Sequence, residues 1–316
     1  MQNENNETWH VILNPHAGAG KGSRDRKKII DILKNSGLNF VLHVSEFPGH
    51  ALKIAKELAY KGGTNFIAAG GDGTLNEIEN GFFNGRGAVP TNVVIGMIPV
   101  GTGNDWIKTF GIPDDYEKAM QIILAGKKVT QDVGEISYSQ NGAETKRYFV
   151  NIAGFGFDGL VASNANHLKA KGVSGFRVYV ESLFSSFLKF SASKTIIEID
   201  GVKVEKNLFS ASVGIGKYNG GGMMQVPDAN PVQGIFHITL ISKIGLWGIL
   251  MNFKGLYNGK FIRDHRVSTY TGKTVNINSA KPLPGEADGE TLGEGNFNIR
   301  ILPHGLTVLC GEIDFG

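Results

Sequence analysis

Cysteine is almost absent. Cys310 stands alone in 316 residues, which excludes an internal disulfide framework and any multi-cysteine metal site and fits a reducing compartment. Charge of one sign is equally scarce: Lys and Arg exceed Asp and Glu by only 3, too little for a nucleic-acid-binding surface. No apolar run reads as a membrane span. The longest such region, Ile235 to Tyr257, is broken by His237, Ser242, Lys243 and Asn252, and it reads as a strand, a turn and a buried helix. The start, Met1-Gln2-Asn3-Glu4-Asn5-Asn6-Glu7, lacks the basic-then-apolar pattern of a secretory signal, so a cytoplasmic location is expected. The eight histidines show no metal-ligand spacing, and zinc is not expected.

What abounds is glycine, 44 residues, about twice the usual share. With 41% hydrophobic and 19% charged residues, the chain is a globular protein long enough for two domains, each with its own core. In the first third, Val11-Ile12-Leu13, Phe40-Val41-Leu42, Phe66 to Ala69 and Val93 to Ile98 each precede an amphipathic stretch. Four such strand-helix alternations predict a mostly parallel sheet covered by helices, with ligands at the carboxyl ends of the strands. After about Gln131 apolar runs follow one another closely: Lys146 to Ile152, Thr195 to Ile199, Leu208 to Ile215, Ile235 to Ile241, Val267 to Thr271 and Asn296 to Leu302. Only Asp158 to Lys171 and Phe176 to Phe190 look helical there, so the second domain is expected to be β-rich.

Three loops carry the chemistry of the first domain. Gly70-Gly71-Asp72-Gly73-Thr74-Leu75-Asn76-Glu77 lies between a strand and a helix. Its glycines leave backbone N–H groups open to a polyphosphate at a helix N-terminus. Asp72 would repel a bare phosphate, which makes sense if it faces Mg²⁺ or an activated hydroxyl; the competing reading is a tight turn with Asp72 as a helix cap. Asn14-Pro15-His16-Ala17-Gly18-Ala19-Gly20-Lys21 and Pro99-Val100-Gly101-Thr102-Gly103-Asn104-Asp105 open from the same sheet edge. The first is no P-loop, since Lys21 is followed by Gly22 and Pro15 replaces the leading glycine. Each alone is ordinary turn chemistry as readily as a site; with the GGDGT loop they read as one nucleotide site. In the second domain Asp288 and Glu290 flank Gly289, and a carboxylate there could accept the proton of an attacking hydroxyl or simply decorate a solvated turn.

Taken in order, NPxxG, GGDGT, PxGTxND and the late DGE resemble the diacylglycerol kinase catalytic-domain family, which includes sphingosine kinases and bacterial soluble lipid kinases. Asn151 to Asp158 and Gly220-Gly221-Gly222-Met223 are similar to further patterns of that family. The resemblance implies an α/β plus β fold: an N-terminal three-layer α/β nucleotide-binding domain and a C-terminal β-sandwich-like domain, related also to NAD kinases. It implies ATP and Mg²⁺ as cofactors and a lipid alcohol as acceptor, with MgATP and lipid in the cleft between domains. Residues 1–131 and 302–316 are assigned to the ATP-binding domain, because the family returns its last strand there, and 132–301 to the lipid domain. Asn14, Pro15, His16, Ala17, Gly18, Ser45, Gly70 to Glu77, Gly101, Thr102, Asn104 and Asp105 are the expected ATP contacts. Glu290 is the expected proton acceptor, with Asp288 an alternative, and Asp72 and Asp288 are expected to hold metal. Gln233 stands where bacterial members carry an Asp beside Gly234; a neutral amide is a weaker ligand for a hard dication, so a structural Mg²⁺ is doubted there.

The stretch Phe176, Val178, Tyr179, Val180, Leu183, Phe184, Phe187, Leu188 and Phe190 reads as a core helix before a lipid-facing one. Peripheral contact with the inner membrane face and a homodimer are further expectations. Two other readings stay open: an NAD kinase-like small-molecule kinase, since GGDGT loops occur there too, and a nucleotide-binding sensor without catalysis.

Overall fold

The computed structural model of the chain describes residues 8–84, 92–140, 142–171, 176–245, 248, 254–313 and 315. The chain divides into two compact units, Met1–Gln131 with His304–Gly316, and Asp132–Pro303.

The first unit is the α/β domain that the alternating pattern predicts. Strands β1 (Trp9–Leu13), β2 (Phe40–Val44), β3 (Asn65–Gly70) and β4 (Val94–Pro99) pair in parallel in the order β2-β1-β3-β4. Every residue of β3 and β4 is buried, as a central parallel sheet covered on both faces requires. The crossovers are α1 (Ala17–Arg24) with α2 (Arg26–Asn35), α3 (His50–Tyr60) and α4 (Asp72–Phe83). Helix α2 shows the logic: Ile29 and Leu33, four apart, are its buried residues and pack with Val11, Leu13 and Ile67. Two short helices, α5 (Asp105–Thr109) and α6 (Tyr116–Ala125), follow β4. Parallel pairing places the ends of β1, β3 and β4, and so the three glycine loops, on one edge of the sheet.

The second unit is β-rich and sandwich-like. Strands β5 (Lys128–Gln140), whose first residues belong to the first unit, and β6 (Ala143–Phe149) form a hairpin. They are followed by β7 (Ile152–Gly156), α7 (Phe157–Ala170), α8 (Phe176–Lys189), β8 (Ser193–Ile199), β9 (Val202–Gly214) and β10 (Phe236–Ser242). The run from Lys146 to Ile152 is therefore two strands, not one. Strand β9 carries the architecture: Val202 to Leu208 pair with β8, and the rest of the strand lies between β7 and β10. The unit closes with β11 (Val267–Gly272), β12 (Thr274–Ser279), the β13 (Leu283–Ala287) and β14 (Glu290–Gly295) hairpin, and β15 (Phe297–Leu309). Its core gathers Phe149, Phe155, Phe236, Phe297 and the branched residues of β8, β9 and β12. Strand β15 crosses the boundary: Phe297 to Arg300 pair with β12, and Thr307 and Val308 pair in parallel with β4.

Much of the helix expected before Tyr257, and the side chains of Phe176, Tyr179 and Val180, lie outside the described residues. No helix among the described residues is long and apolar enough to cross a membrane.

Candidate functional site

In the first unit the three loops interlock through backbone. The Asn14 N–H donates to Ala69 O at 3.0 Å, and its amide Nδ2 donates to Thr74 Oγ1 at 3.0 Å, which pins the first loop to the start of α4. Val100 and Gly101 N–H groups both donate to Gly70 O. Gly71 and Gly101 meet face to face: a Cβ on Gly101 would lie 2.7 Å from the Gly71 Cα and 2.5 Å from Asn104 Oδ1. A Cβ on Gly18 would collide with the Val100 carbonyl oxygen. The glycines are thus required for loop-to-loop contact, and the same lack of side chains leaves a peptide-lined rim.

Asp72 sits at that rim, and both of its oxygens are engaged. Oδ2 accepts the Asp105 N–H at 3.0 Å and Oδ1 the Trp106 N–H at 3.1 Å. It caps a helix, though it caps α5 and not its own α4. Asp105 in turn takes a hydrogen bond from Lys108 Nζ at 2.6 Å. Above Gly103, Oδ2 of Asp72 and Oδ2 of Asp105 come within 3.4 and 3.7 Å of the point a Cβ would occupy. Two hard carboxylate oxygens near one point beside the peptide-lined rim fit Mg²⁺, which takes one or two carboxylates and completes its shell with phosphate oxygens and water.

The other nominated residues divide by accessibility. His16 and Thr102 are exposed, and Asn14, Pro15, Ala17, Gly18, Gly71 and Gly73 are half-buried, so these can meet a ligand. Ser45 and Gly70 are buried, and Ser45 is tied to Leu13 through its N–H. Leu75 and Asn76 face the interior, and the Asn76 amide bonds Glu79. The carboxylate of Glu77 accepts the Gly49 and Ala51 N–H groups and thereby caps α3. Asn104 is buried, with Nδ2 donating to Gly101 O and Asp114 and with no partner for Oδ1 among the described residues.

In the second unit Asp288 and Gly289 are the two central residues of the β13–β14 hairpin, with φ of 49° and 84°. Asp-Gly is the sequence such a two-residue turn prefers, because both positions need positive φ. The Asp288 carboxylate accepts the N–H groups of Val150 at 2.9 Å and of Asn151 and Ile152 at 3.1 Å. It fastens the turn to the gap between β6 and β7. That geometry ties the Asp288 carboxylate to the backbone. Glu290, the first residue of β14, is half-buried and carries no hydrogen bond or ion pair among the described residues.

Two further acids went unrecognised in the sequence. Glu286 is 1% exposed; its Oε2 accepts the Gly289 N–H at 2.7 Å and its Oε1 the Asn219 amide at 3.2 Å. Burial, reinforced by Asp158 and Asp288, pushes its carboxyl well above the usual range. Asp158, at the start of α7, accepts the hydroxyls of Ser210 at 2.6 Å and Ser212 at 3.0 Å. Its carboxyl is also raised by burial. What surface it retains faces a pocket of about 80 Å³ that opens to solvent. Phe157, Leu183, Phe209, Ile241, Leu256 and Phe261 wall the pocket, with Asp158, Ser210, Ser212, Gln225 and Asp264 as its polar groups. The signal was available, since an Asp after Asn151-Ile152-Ala153-Gly154-Phe155-Gly156-Phe157 in a glycine-bearing strand invites the question of what needs that space. A Cβ on Gly154 would meet Glu286 Oε1 and the Asp158 Cβ.

Elsewhere in this unit, Gln233 Oε1 lies 3.1 Å from His237 Nε2, and Asp132 Oδ2 accepts the Gly234 N–H at 2.6 Å. No group of three or more His, Cys, Asp or Glu side chains gathers to hold a metal among the described residues.

Comparison with known proteins bears on the family and the fold. Residues 8–136 match the family model of the diacylglycerol kinase catalytic domain, and residues 151–310 that of the YegS C-terminal NAD kinase beta sandwich-like domain. A diacylglycerol kinase of Staphylococcus carnosus is 27% identical over 300 residues, which cover 94% of this chain and 93% of that protein. The structure of a diacylglycerol kinase from Bacillus anthracis superposes with a TM-score of 0.71 at 21% identity, over 96% of this chain and 97% of the other. Yeast NADH kinase in complex with NADH superposes with a TM-score of 0.53 at 12% identity, over 98% and 85%. These two likenesses speak to the fold.

Proposed function

The chain belongs to the diacylglycerol kinase catalytic-domain family, with the YegS-type domain following, and from that premise we propose that it transfers the γ-phosphoryl group of ATP to the hydroxyl of a lipid alcohol such as diacylglycerol. The observation that carries the lipid acceptor is the pocket of the second unit, whose lining is mostly apolar with two carboxylates, Asp158 and Asp264, among its polar groups. A wall of Phe, Leu and Ile suits an acyl or prenyl chain and offers little to a dinucleotide. The unit that holds this pocket also carries Glu290.

In this reading the peptide rim formed by the Asn14, Gly71 and Gly101 loops cradles the triphosphate, and Asp72 with Asp105 holds Mg²⁺. The metal, when bound, neutralises charge on the phosphate oxygens. Glu290 accepts the hydroxyl proton as the acceptor oxygen bonds to the γ-phosphorus and the bond to the β–γ bridging oxygen breaks, releasing ADP. Asp288 and Glu286 do not touch the reacting atoms; they hold the turn from which Glu290 projects.

Incubation with γ-labelled ATP, Mg²⁺ and a total lipid extract tests this, with NAD as the competing acceptor. A labelled lipid is expected. Label on NAD alone would replace the lipid reading, and ATP-dependent stabilisation with no transfer to any alcohol would point to a sensor.

A further inference from the structure

We propose that a second, polar pocket on the same sheet face receives a neutral hydroxylated headgroup, so that the acceptor is a lipid with a glycosyl-type head in preference to plain diacylglycerol; this rests on the reading of the Asp158 pocket as an acceptor site. Phe236, Ile238 and Leu240 of β10 belong to the core of the second unit, so His237, Thr239 and Ile241 lie on the opposite face. Tyr270 of β11 likewise packs on that core, which puts Val267, Thr269 and Thr271 beside them. The register pairs Ile241 with Val267, Thr239 with Thr269 and His237 with Thr271. Ile241 and Val267 line the Asp158 pocket. The other two pairs line a separate pocket of about 190 Å³, whose wall is completed by Val226, Pro227 and Asp228. The two pockets meet at one register pair: Ser212 of β9, a polar group of the first, stands opposite Thr239, a wall of the second.

The second pocket is built for hydroxyls. Thr239 is 1% exposed, and its Oγ1 has no hydrogen-bond partner among the described residues. A buried hydroxyl left so is costly, and in a cavity of this size a guest hydroxyl or a water can satisfy it. Thr269 and Thr271 are exposed and add two more hydroxyls. The His237 Nε2–H donates to Gln233 Oε1 at 3.1 Å, since an amide oxygen can only accept, and this leaves a lone pair on Nδ1. Burial holds that imidazole below its usual range, which keeps it uncharged at neutral pH. Asp228 supplies a carboxylate, and neither Lys nor Arg lines the pocket among the described residues. An anionic headgroup would therefore meet a negative charge with no cation to offset it, and an acyl chain would leave Thr239 unsatisfied. A polyol fits: it can donate to the carboxylate and to Nδ1, and both donate to and accept from the threonines. Ser212, Thr239 and Thr269 form a row of hydroxyls across β9, β10 and β11, about 4.8 Å apart from strand to strand. A headgroup laid along that row has one end beside Asp158, to which Ser212 is bonded, while its acyl chain lies against Phe157, Leu183 and Phe209.

Isothermal titration of the full chain, without ATP, with monoglucosyl dioctanoylglycerol, dioctanoylglycerol and methyl glucoside tests the proposal. The glucosyl lipid is expected to bind at least about tenfold more tightly than dioctanoylglycerol. Thr239→Val keeps the shape of the side chain and removes a hydroxyl that no protein group satisfies, so the chain should fold as before while most of that advantage is lost. Thr271→Trp, at an exposed position, fills the pocket and should abolish the advantage. Equal affinities for the two lipids, or an advantage that either substitution leaves intact, would overturn the proposal, since the pocket would then hold only water. Methyl glucoside bound as tightly as the glucosyl lipid would overturn it too, because the pocket would then take a free sugar. Phosphorylation of dioctanoylglycerol with no preference for the glucosyl lipid would sink the proposal and leave the kinase reading standing. Titration needs no turnover, so a chain that prefers the glucosyl lipid in this way yet phosphorylates no alcohol would count against the kinase reading alone.

Discussion

Glu286 and Gly289 are joined side chain to backbone at 2.7 Å, across the turn that presents Glu290. The Asn219 amide takes the other oxygen of Glu286 and also reaches Gln225, a pocket residue, at 3.2 Å. A single buried carboxyl therefore links the pocket wall to the turn. Glu286→Ala would leave the Gly289 N–H without its acceptor and the Asn219 amide with Gln225 alone, at a cost of about 1–3 kcal/mol. Thermal denaturation should show a clear loss for Ala and a smaller one for Gln, which keeps the volume and one acceptor.

Glu290→Gln should lower kcat by about 10²–10⁴-fold and leave the affinity for ATP unchanged, because this side chain makes no contact that holds the fold together. Steady-state kinetics with isothermal titration of ATP would separate the two effects. Turnover near the wild-type rate would remove Glu290 as the proton acceptor.

Gly101→Ala inserts a methyl group 2.7 Å from the Gly71 Cα. The two loops must separate, costing about 1–3 kcal/mol as overpacking does elsewhere. ATP affinity should fall. Unchanged ATP affinity would show that the rim is not where the triphosphate lies.

The raised carboxyl of Asp158 sets a pH dependence. Burial favours its protonated form in the folded chain, so as pH rises above 3.8, the ordinary value for the group, the unfolded chain releases its proton first. The stabilising contribution is full at lower pH and is lost as pH climbs through the raised folded value. Asp158→Asn removes this dependence, and the two serine hydroxyls can still donate to its amide oxygen. Urea midpoints measured across the acidic and neutral range should fall less steeply for the variant; parallel slopes would show that Asp158 ionises like an exposed acid.

The alternation of the first unit was legible because each strand there is short, apolar and followed by a helix with a periodic buried face, as Ile29 and Leu33 show. Strands β12 to β14 were not, since Thr274–Ser279 and Glu290–Gly295 alternate buried and polar residues too weakly to stand out from turns. The GGDGT and Asp-Gly motifs announced themselves through glycine. The tasks of individual side chains did not. Whether Asp72 caps its own helix or α5 depends on how loops after different strands meet, and no local pattern encodes that. Likewise Leu75, Asn76 and Glu77 share a motif with Gly71, yet helix rotation from Asp72 onward turns them to the core or to α3. Glu286 stayed hidden because an acid inside a strand looks like solvent-facing alternation until its neighbours are known.

The shared strand β15 has a consequence for biogenesis. The first unit takes a sheet partner for β4, Thr307 and Val308, from beyond the whole of the second unit. Its nascent N-terminal portion must wait, with one flank of β4 unmatched, until translation has passed Val308, and truncation before that point would cripple both halves at once.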